Sequence, residues 1–212
     1  VVFRSGTAEN PGWLTTGWWG ILGLIGWGYL AAALVYLIAK EDPLKTGLFW
    51  MLFLILNIFS QLGMLSFLDF VRPVFGVIIG GNTPLLVISG LFFSLILRKV
   101  GSQNPRQFLA IGTLLGIFVL IAGFVLRNWF IISKIKATPS WGLICTGISI
   151  LLFVLLFVLL DVWKINGWSK VFKPAGQNSL TTYLAPDIIY YSVWMTGFPL
   201  FFYKYLENSL LV

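Results

Sequence analysis

Histidine is absent from this 212-residue sequence, and cysteine occurs only once. Without histidine, the chain cannot by itself supply an imidazole general base, a Ser-His-Asp or Cys-His arrangement, or a histidine metal ligand. The single cysteine, Cys145, excludes an internal disulfide and a metal site built from several thiolates. Charged residues make up only 10% of the chain, against about 25% in soluble domains, so a water-soluble globular domain is excluded.

Hydrophobic residues are abundant, and the few charges are mostly basic. They account for 58% of the chain, and 14 basic residues against 7 acidic ones give a formal charge of +7. The basic residues are dispersed between apolar runs, which is typical of membrane-protein loops and not of a nucleic-acid-binding surface. We therefore predict an integral membrane protein, with the lipid bilayer as a partner, no nucleic-acid partner and no metal site.

Long uncharged runs indicate the membrane crossings, because a helix needs about 20 apolar residues to span the hydrocarbon core. Six runs approach that length: 17–39, 46–65, 83–97, 107–126, 141–160 and 179–203. They predict an all-α fold, a polytopic membrane helical bundle of about six helices that forms one domain over 1–212. Glycines four residues apart, at Gly76/Gly80 and Gly112/Gly116, predict that some of these helices pack closely.

The third run has 15 residues and would reach only about 22 Å as a helix. Helix-breaking residues precede it: Gly80, Gly81, Asn82 and Pro84. The run is therefore expected to borrow residues from 74–82, or to follow a re-entrant segment. Such backbone is tolerated in a membrane only where protein or water covers it.

Charge in the loops predicts the orientation. The loops 40–45, 98–106 and 161–178 fall on one side of the predicted bundle, here called the basic side, and carry eight of the 14 basic residues. The positive-inside rule therefore favours the cytoplasm for the basic side.

Polar side chains inside the apolar runs are the most informative, since they are costly in a membrane. Asn57, Ser60 and Gln61 share one face of the second run, where they serve either interhelical hydrogen bonding or a polar cavity wall. Asp187 follows Pro186 in the sixth run, and its carboxylate requires a basic partner or a water-filled cavity.

Two loops concentrate cations and hydroxyls. The first, 132–141, contains Lys134, Thr138 and Ser140 before the fifth run, where the hydroxyls serve either as helix caps or as ligand contacts. The second, 161–179, contains three lysines, at 164, 170 and 173, before a helix that opens near Asn178. These lysines are either ordinary positive-inside residues or the rim of a phosphate-binding site.

Together, the two loops resemble the C-terminal half of the heparan-α-glucosaminide N-acetyltransferase family, especially its bacterial relatives of the DUF5009 type. The first loop matches a family segment at Ile132, Lys134, Thr138 and Ser140, with Ser133 in place of Asn and Ala137 in place of Trp. The second matches at Asp161, Val162, Pro174, Gly176, Asn178, Ser179, Tyr183 and Asp187, the last standing where relatives tend to carry Glu.

The resemblance implies a transmembrane acyltransferase of the bacterial inner membrane, with acetyl-CoA as co-substrate and an amino sugar or glycan as acceptor. Residues expected to bind the carrier are Lys164, Lys170, Lys173, Gly176, Asn178 and Asp187. Residues expected to line the acceptor side are Lys134, Thr138, Ser140, Asn57 and Gln61. A homodimer is considered alongside these partners.

The family resemblance also implies a histidine near the active centre in an N-terminal half. Because this chain has none, we assign no catalytic residue and expect a fragment of a longer polytopic protein that is inactive alone. Two other classes stay open: a transporter or flippase for an anionic solute or lipid, and a non-catalytic membrane scaffold. A histidine in an upstream helix would favour the acyltransferase.

Overall fold

The computed structural model describes residues 20–101, 103–165 and 167–196, together with the backbone of 5–6 and 11–12. The chain divides into two compact units, Val1–Val158 and Leu159–Val212. How these combine into the single domain predicted from the sequence stays a prediction. In the first unit, β1 (Ser5–Gly6) pairs antiparallel with β2 (Pro11–Gly12).

Helices make up nearly all of the described chain. The first unit contains α1 (Ile21–Ala39), α2 (Pro43–Gln61), α3 (Arg72–Gly80), α4 (Asn82–Ile96), α5 (Pro105–Leu126) and α6 (Pro139–Phe157). A short 3₁₀ turn, Ser66–Leu68, precedes α3, and π-helical turns at Leu97–Gly101 and Val158–Val162 continue α4 and α6. The second unit contains α7 (Ser169–Gln177) and α8 (Ser179–Thr196).

Five helices in the described part of the chain are long and apolar enough to cross a membrane. They are Ile21–Ala39, Pro43–Gln61, Asn82–Gly101, Pro105–Leu126 and Pro139–Val162. The predicted α-helical membrane bundle is therefore confirmed. The sixth predicted run, 179–203, forms α8 as far as Thr196, and its remaining residues lie outside the described chain, so a sixth crossing stays a prediction.

Helix ends differ from the predicted bounds because capping residues, and not apolar residues, set them. Helix α2 begins at Pro43, before the predicted residue 46, and the Asp42 carboxylate accepts a hydrogen bond from the Leu44 amide at 2.9 Å. It ends at Gln61, before the predicted residue 65, because Gly63 adopts a left-handed φ of 74° that terminates the helix. Helix α5 likewise begins early, at Pro105, behind the Asn104 side-chain cap.

The predicted break before the third crossing is confirmed, and most of the added length of that crossing comes from its other end. Helix α3 ends and α4 begins at Gly81, whose φ of 70° favours glycine. Of residues 74–82, the crossing takes in Asn82 alone, since α3 is a separate helix that ends at Gly80. It gains length at its other end, where Leu97–Gly101 continue α4 in π-helical form and complete a 20-residue span.

Glycines bring α5 and α6 into close contact. A Cβ atom on Gly147 would lie 2.8 Å from the backbone nitrogen of Leu120, and one on Gly123 would lie 2.8 Å from that of Ile144. The predicted pair Gly112/Gly116 takes part in this packing, whereas a Cβ on Gly76 or Gly80 would meet nothing within 4 Å among the described residues. Close helix packing is therefore confirmed for Gly112/Gly116, whereas for Gly76/Gly80 it stays a prediction.

Candidate functional site

Two sets of residues that the sequence reading singled out separately meet at one end of the first unit. The Asn57 side-chain amide donates hydrogen bonds to the carbonyls of Gly80 at 2.6 Å and Ala137 at 3.0 Å. One turn later on α2, the Gln61 amide donates to the Lys136 carbonyl at 2.8 Å. The polar face of α2 therefore holds the loop that leads into α6.

Asn82, at the start of α4, completes this arrangement. Its side-chain amide donates to the carbonyl of Thr138 at 3.1 Å. We call the three side-chain amides of Asn57, Gln61 and Asn82, with the loop carbonyls of residues 136–138, the amide junction. Because three consecutive carbonyls are each bound by an amide from a different helical position, the amide junction holds the loop backbone in one conformation.

The break between α3 and α4 brings its backbone against α2. A Cβ atom on Gly81 would lie 2.7 Å from the Phe53 carbonyl oxygen and 2.9 Å from the Asn57 nitrogen, so only glycine permits this approach. The broken helix predicted from the sequence therefore places the Gly80 carbonyl within reach of the Asn57 amide.

One atom of the amide junction is unsatisfied. Asn57 is fully buried, and its NH₂ group faces two carbonyl oxygens, which sets the orientation of the amide. Its Oδ1 atom therefore points away from them, and it has no hydrogen-bond partner among the described residues. A buried carbonyl oxygen in this state is an acceptor for a water molecule or for a donor group of a ligand.

The hydroxyls of the loop point inward. Thr138 occupies the N-cap position of α6, but its hydroxyl accepts from the Ser133 amide at 3.1 Å and does not cap the helix. The Ser140 hydroxyl donates to the Ile131 carbonyl at 3.0 Å. Both side chains are buried, so they shape the loop from within, and their contact with a substrate stays a prediction.

The cations of the same loop point outward. Lys134 and Lys136 are exposed, and Ile135 between them is 97% exposed. Ala137 adopts a left-handed φ of 50°, which turns the chain back towards the bundle and presents its carbonyl to Asn57. Of the residues predicted for the acceptor side, Lys134 is thus the one whose charged group is accessible.

A second polar network, which the sequence reading missed, lies deeper in the first unit. The Trp50 indole N–H donates to the Ser89 hydroxyl at 2.6 Å, and Ser89 Oγ lies 3.4 Å from Thr146 Oγ1. It joins α2, α4 and α6 beside a cavity of about 320 Å³ whose lining includes Cys145 and Ser149. The sequence feature that could have indicated this network is the presence of single hydroxyl side chains within long apolar runs.

An ion pair lies at the other end of α2, on the basic side. The Glu41 carboxylate accepts hydrogen bonds from the Tyr36 hydroxyl and the Arg98 guanidinium, both at 2.8 Å. These bonds, the one from Tyr36 first, hold the pKa of Glu41 below its ordinary value. Because Glu41 is exposed, the contacts join the α1–α2 turn to the end of the third crossing without burying charge.

The residues predicted for carrier binding lie in the second unit. Lys170, Lys173 and Gly176 belong to α7, and Lys164 precedes it with a left-handed φ of 59°. Asn178 separates α7 from α8, and its side-chain amide donates to the Pro174 carbonyl at 3.2 Å. Asp187 is exposed on α8, directly after Pro186. Their joint use by a carrier stays a prediction.

Clusters of three or more potential metal-ligating side chains do not occur in the part of the chain that the structure describes.

No protein-family model, curated protein or solved structure matches this chain.

Proposed function

We propose that this chain forms part of a membrane acyltransferase that moves an acetyl group from acetyl-CoA to an amino sugar or glycan. The observation that carries the proposal is the anchoring of the family-like segment 132–140. Its backbone is held by the amide junction, its hydroxyls are turned inward, and Lys134 is turned outward. A loop held in this way is suited to orienting an acceptor.

In this reaction the neutral amine nitrogen of the acceptor attacks the thioester carbonyl carbon. A C–N bond forms, the C–S bond breaks and CoA leaves as the thiolate, while the proton lost by the amine must pass through a base to that thiolate. The chain has no histidine for that last task. We therefore assign its residues to positioning: the Lys134 ammonium donates to acceptor hydroxyls or to acidic groups of a glycan.

The carrier side of the proposal rests on the second unit. Three exposed lysines, at 164, 170 and 173, lie on and just before α7 and would neutralise the phosphates of acetyl-CoA. Gly176 and Asn178, near the start of α8, would border the carrier, and the Asp187 carboxylate would accept a hydrogen bond from it. The basic side then faces the cytoplasm of a bacterium, where acetyl-CoA is available.

The test uses the complete protein that contains this chain, expressed in cells and assayed in their membranes. With acetyl-CoA labelled in its acetyl group, we expect label to appear on an added amino sugar. Lys134→Gln should raise KM for the sugar several-fold while leaving KM for acetyl-CoA unchanged, and Lys136→Gln serves as the matched control. Absence of label transfer by the complete protein would contradict the proposal.

A transporter is the second candidate, because the break at Gly81 lies beside the buried, unpaired Asn57 Oδ1. Discontinuous helices of this kind form binding sites in many transporters. Reconstitution into proteoliposomes distinguishes the two: flux of an anionic solute without acetyl transfer would favour the transporter. If neither activity appears, the membrane scaffold becomes the better account.

A further inference from the structure

A cleft of about 340 Å³ opens on the basic side of the first unit, between the start of α2, the end of α4 and α5. Its walls are apolar and include Phe92, Ile96, Val100 and Ile111. Asp42 and Lys99 also line it, and each lies at the end of a membrane-crossing helix. The cleft therefore extends from the head-group level of a bilayer into the hydrocarbon, since Phe92 lies about 10 Å along the helix from Lys99.

Lys99 provides a cation at this boundary. Its side chain is exposed, and it forms no ion pair within the described chain, whereas the neighbouring Arg98 is paired with Glu41 at 2.8 Å. A lysine at the end of a crossing helix extends its ammonium to the phosphate level of the membrane. Lys99 is thus placed to bind a phosphate at the mouth of an apolar cleft.

Asp42 provides an opposite charge in the same cleft. One of its carboxylate oxygens accepts the capping hydrogen bond from the Leu44 amide, and the other has no partner among the described residues. A purely anionic head group would be repelled by this carboxylate. A head group that carries both a phosphate and an ammonium would satisfy Lys99 and Asp42 together.

We propose that this cleft binds one phospholipid whose head group bears a primary amine. Its acyl chain occupies the apolar cleft, its phosphate binds the Lys99 ammonium, and its own ammonium binds the free oxygen of Asp42. A quaternary choline ammonium has no N–H to donate, so a choline lipid of the same chain length binds more weakly. The site lies on the basic side and is independent of the proposed transfer reaction.

The test measures lipid retention by native mass spectrometry of the purified protein in detergent. Phosphatidylethanolamine, phosphatidylcholine and phosphatidylglycerol with identical acyl chains are offered in equal amounts. The ethanolamine lipid should be retained about five-fold better than the choline lipid, the ratio expected for one charged contact at the membrane surface. Preferential retention of phosphatidylglycerol would overturn the proposal in favour of an ordinary anionic-lipid site.

Four variants separate the contributions. Asp42→Asn should remove the preference for ethanolamine over choline, while its amide still caps α2 and preserves the helix. Lys99→Gln should lower the retention of all three lipids. Ile111→Trp should also lower it, because the larger side chain fills the cleft. Lys45→Gln, a matched change of an exposed lysine on the same side, should have no effect. Equal losses with Lys45→Gln and Lys99→Gln, or full retention by Ile111→Trp with unchanged circular dichroism, would overturn the proposal.

Discussion

Asn57 offers the sharpest test of the amide junction. Two substitutions distinguish the contribution of its side-chain shape from the contribution of its hydrogen bonds. Its NH₂ group serves the carbonyls of Gly80 and Ala137, at 2.6 and 3.0 Å. Asn57→Leu keeps most of the volume, removes both bonds and also removes the unpaired Oδ1. Interhelical hydrogen bonds in membranes contribute about 0.6 kcal/mol each, with a maximum near 1.7, so the net cost should be about 1–2 kcal/mol.

Asn57→Asp preserves the shape but replaces the donor group with an acceptor that faces two carbonyl oxygens. A protonated acid satisfies one of them and leaves the other facing an oxygen, and an ionised acid satisfies neither. Because a buried charge without a compensating partner costs about 3–5 kcal/mol, Asn57→Asp should be more damaging than Asn57→Leu. Its deficit should grow as pH rises above about 4, because burying the ionised acid costs more than burying the protonated acid.

Thermal unfolding of the purified protein in detergent measures both effects. A loss of 1 kcal/mol lowers Tm by about 2–4 °C for a chain of this size, so Asn57→Asp should lower it by at least about 6 °C at neutral pH. The exposed Asn128→Asp is the control, with an expected change within about 0.5 kcal/mol. If Asn57→Asp matches the parent protein, or is less damaging than Asn57→Leu, the assigned hydrogen bonds are wrong.

Three further predictions concern packing, backbone and charge. Gly147→Ala places a Cβ 2.8 Å from the Leu120 nitrogen and should cost about 1–3 kcal/mol in unfolding, whereas Gly26→Ala, in open space, should leave Tm unchanged or raise it. Gly81→Ala should lower Tm, because alanine is strained at a φ of 70°. The pKa of Glu41 in the folded protein lies below its ordinary value of 4.5. Its ionised carboxylate therefore stabilises the fold above pH 4.5, and this stabilisation is lost as pH falls through the lowered pKa. Glu41→Gln should therefore flatten the acid side of a Tm-against-pH curve, and an unchanged curve would contradict the assigned contacts.

The crossings could be predicted because an uncharged run of about 20 residues has few alternatives to a membrane helix. Their ends were misplaced because the runs were read from apolar residues, although the starts of three crossings are visible as a capping-position residue followed by proline. These pairs are Asp42–Pro43, Asn104–Pro105 and Thr138–Pro139. The break at Gly81 was also readable, since few positions in an apolar run combine adjacent glycines with a following proline.

The contacts of the candidate site could be predicted only in part. The shared face of Asn57 and Gln61 indicated hydrogen bonding between helices, but their acceptors in the loop before α6 lie 80 and 75 residues further along the chain. Which carbonyls they bind depends on how α2 and the loop before α6 come together, and hydrophobic periodicity carries no such information. Asn82 was read only as a helix breaker, although its amide holds the Thr138 carbonyl.

Cross-linking in membranes tests the central claim most directly, namely that the loop before α6 is docked on the end of α2. In a Cys145→Ser background, cysteines replace Gln61 and Lys136, whose amide nitrogen and carbonyl oxygen lie 2.8 Å apart. A short bifunctional thiol reagent should join them within one chain, whereas a pair at Gln61 and Gln103 should stay unlinked. If Gln61 and Lys136 fail to cross-link while both thiols react singly, the docked loop is contradicted.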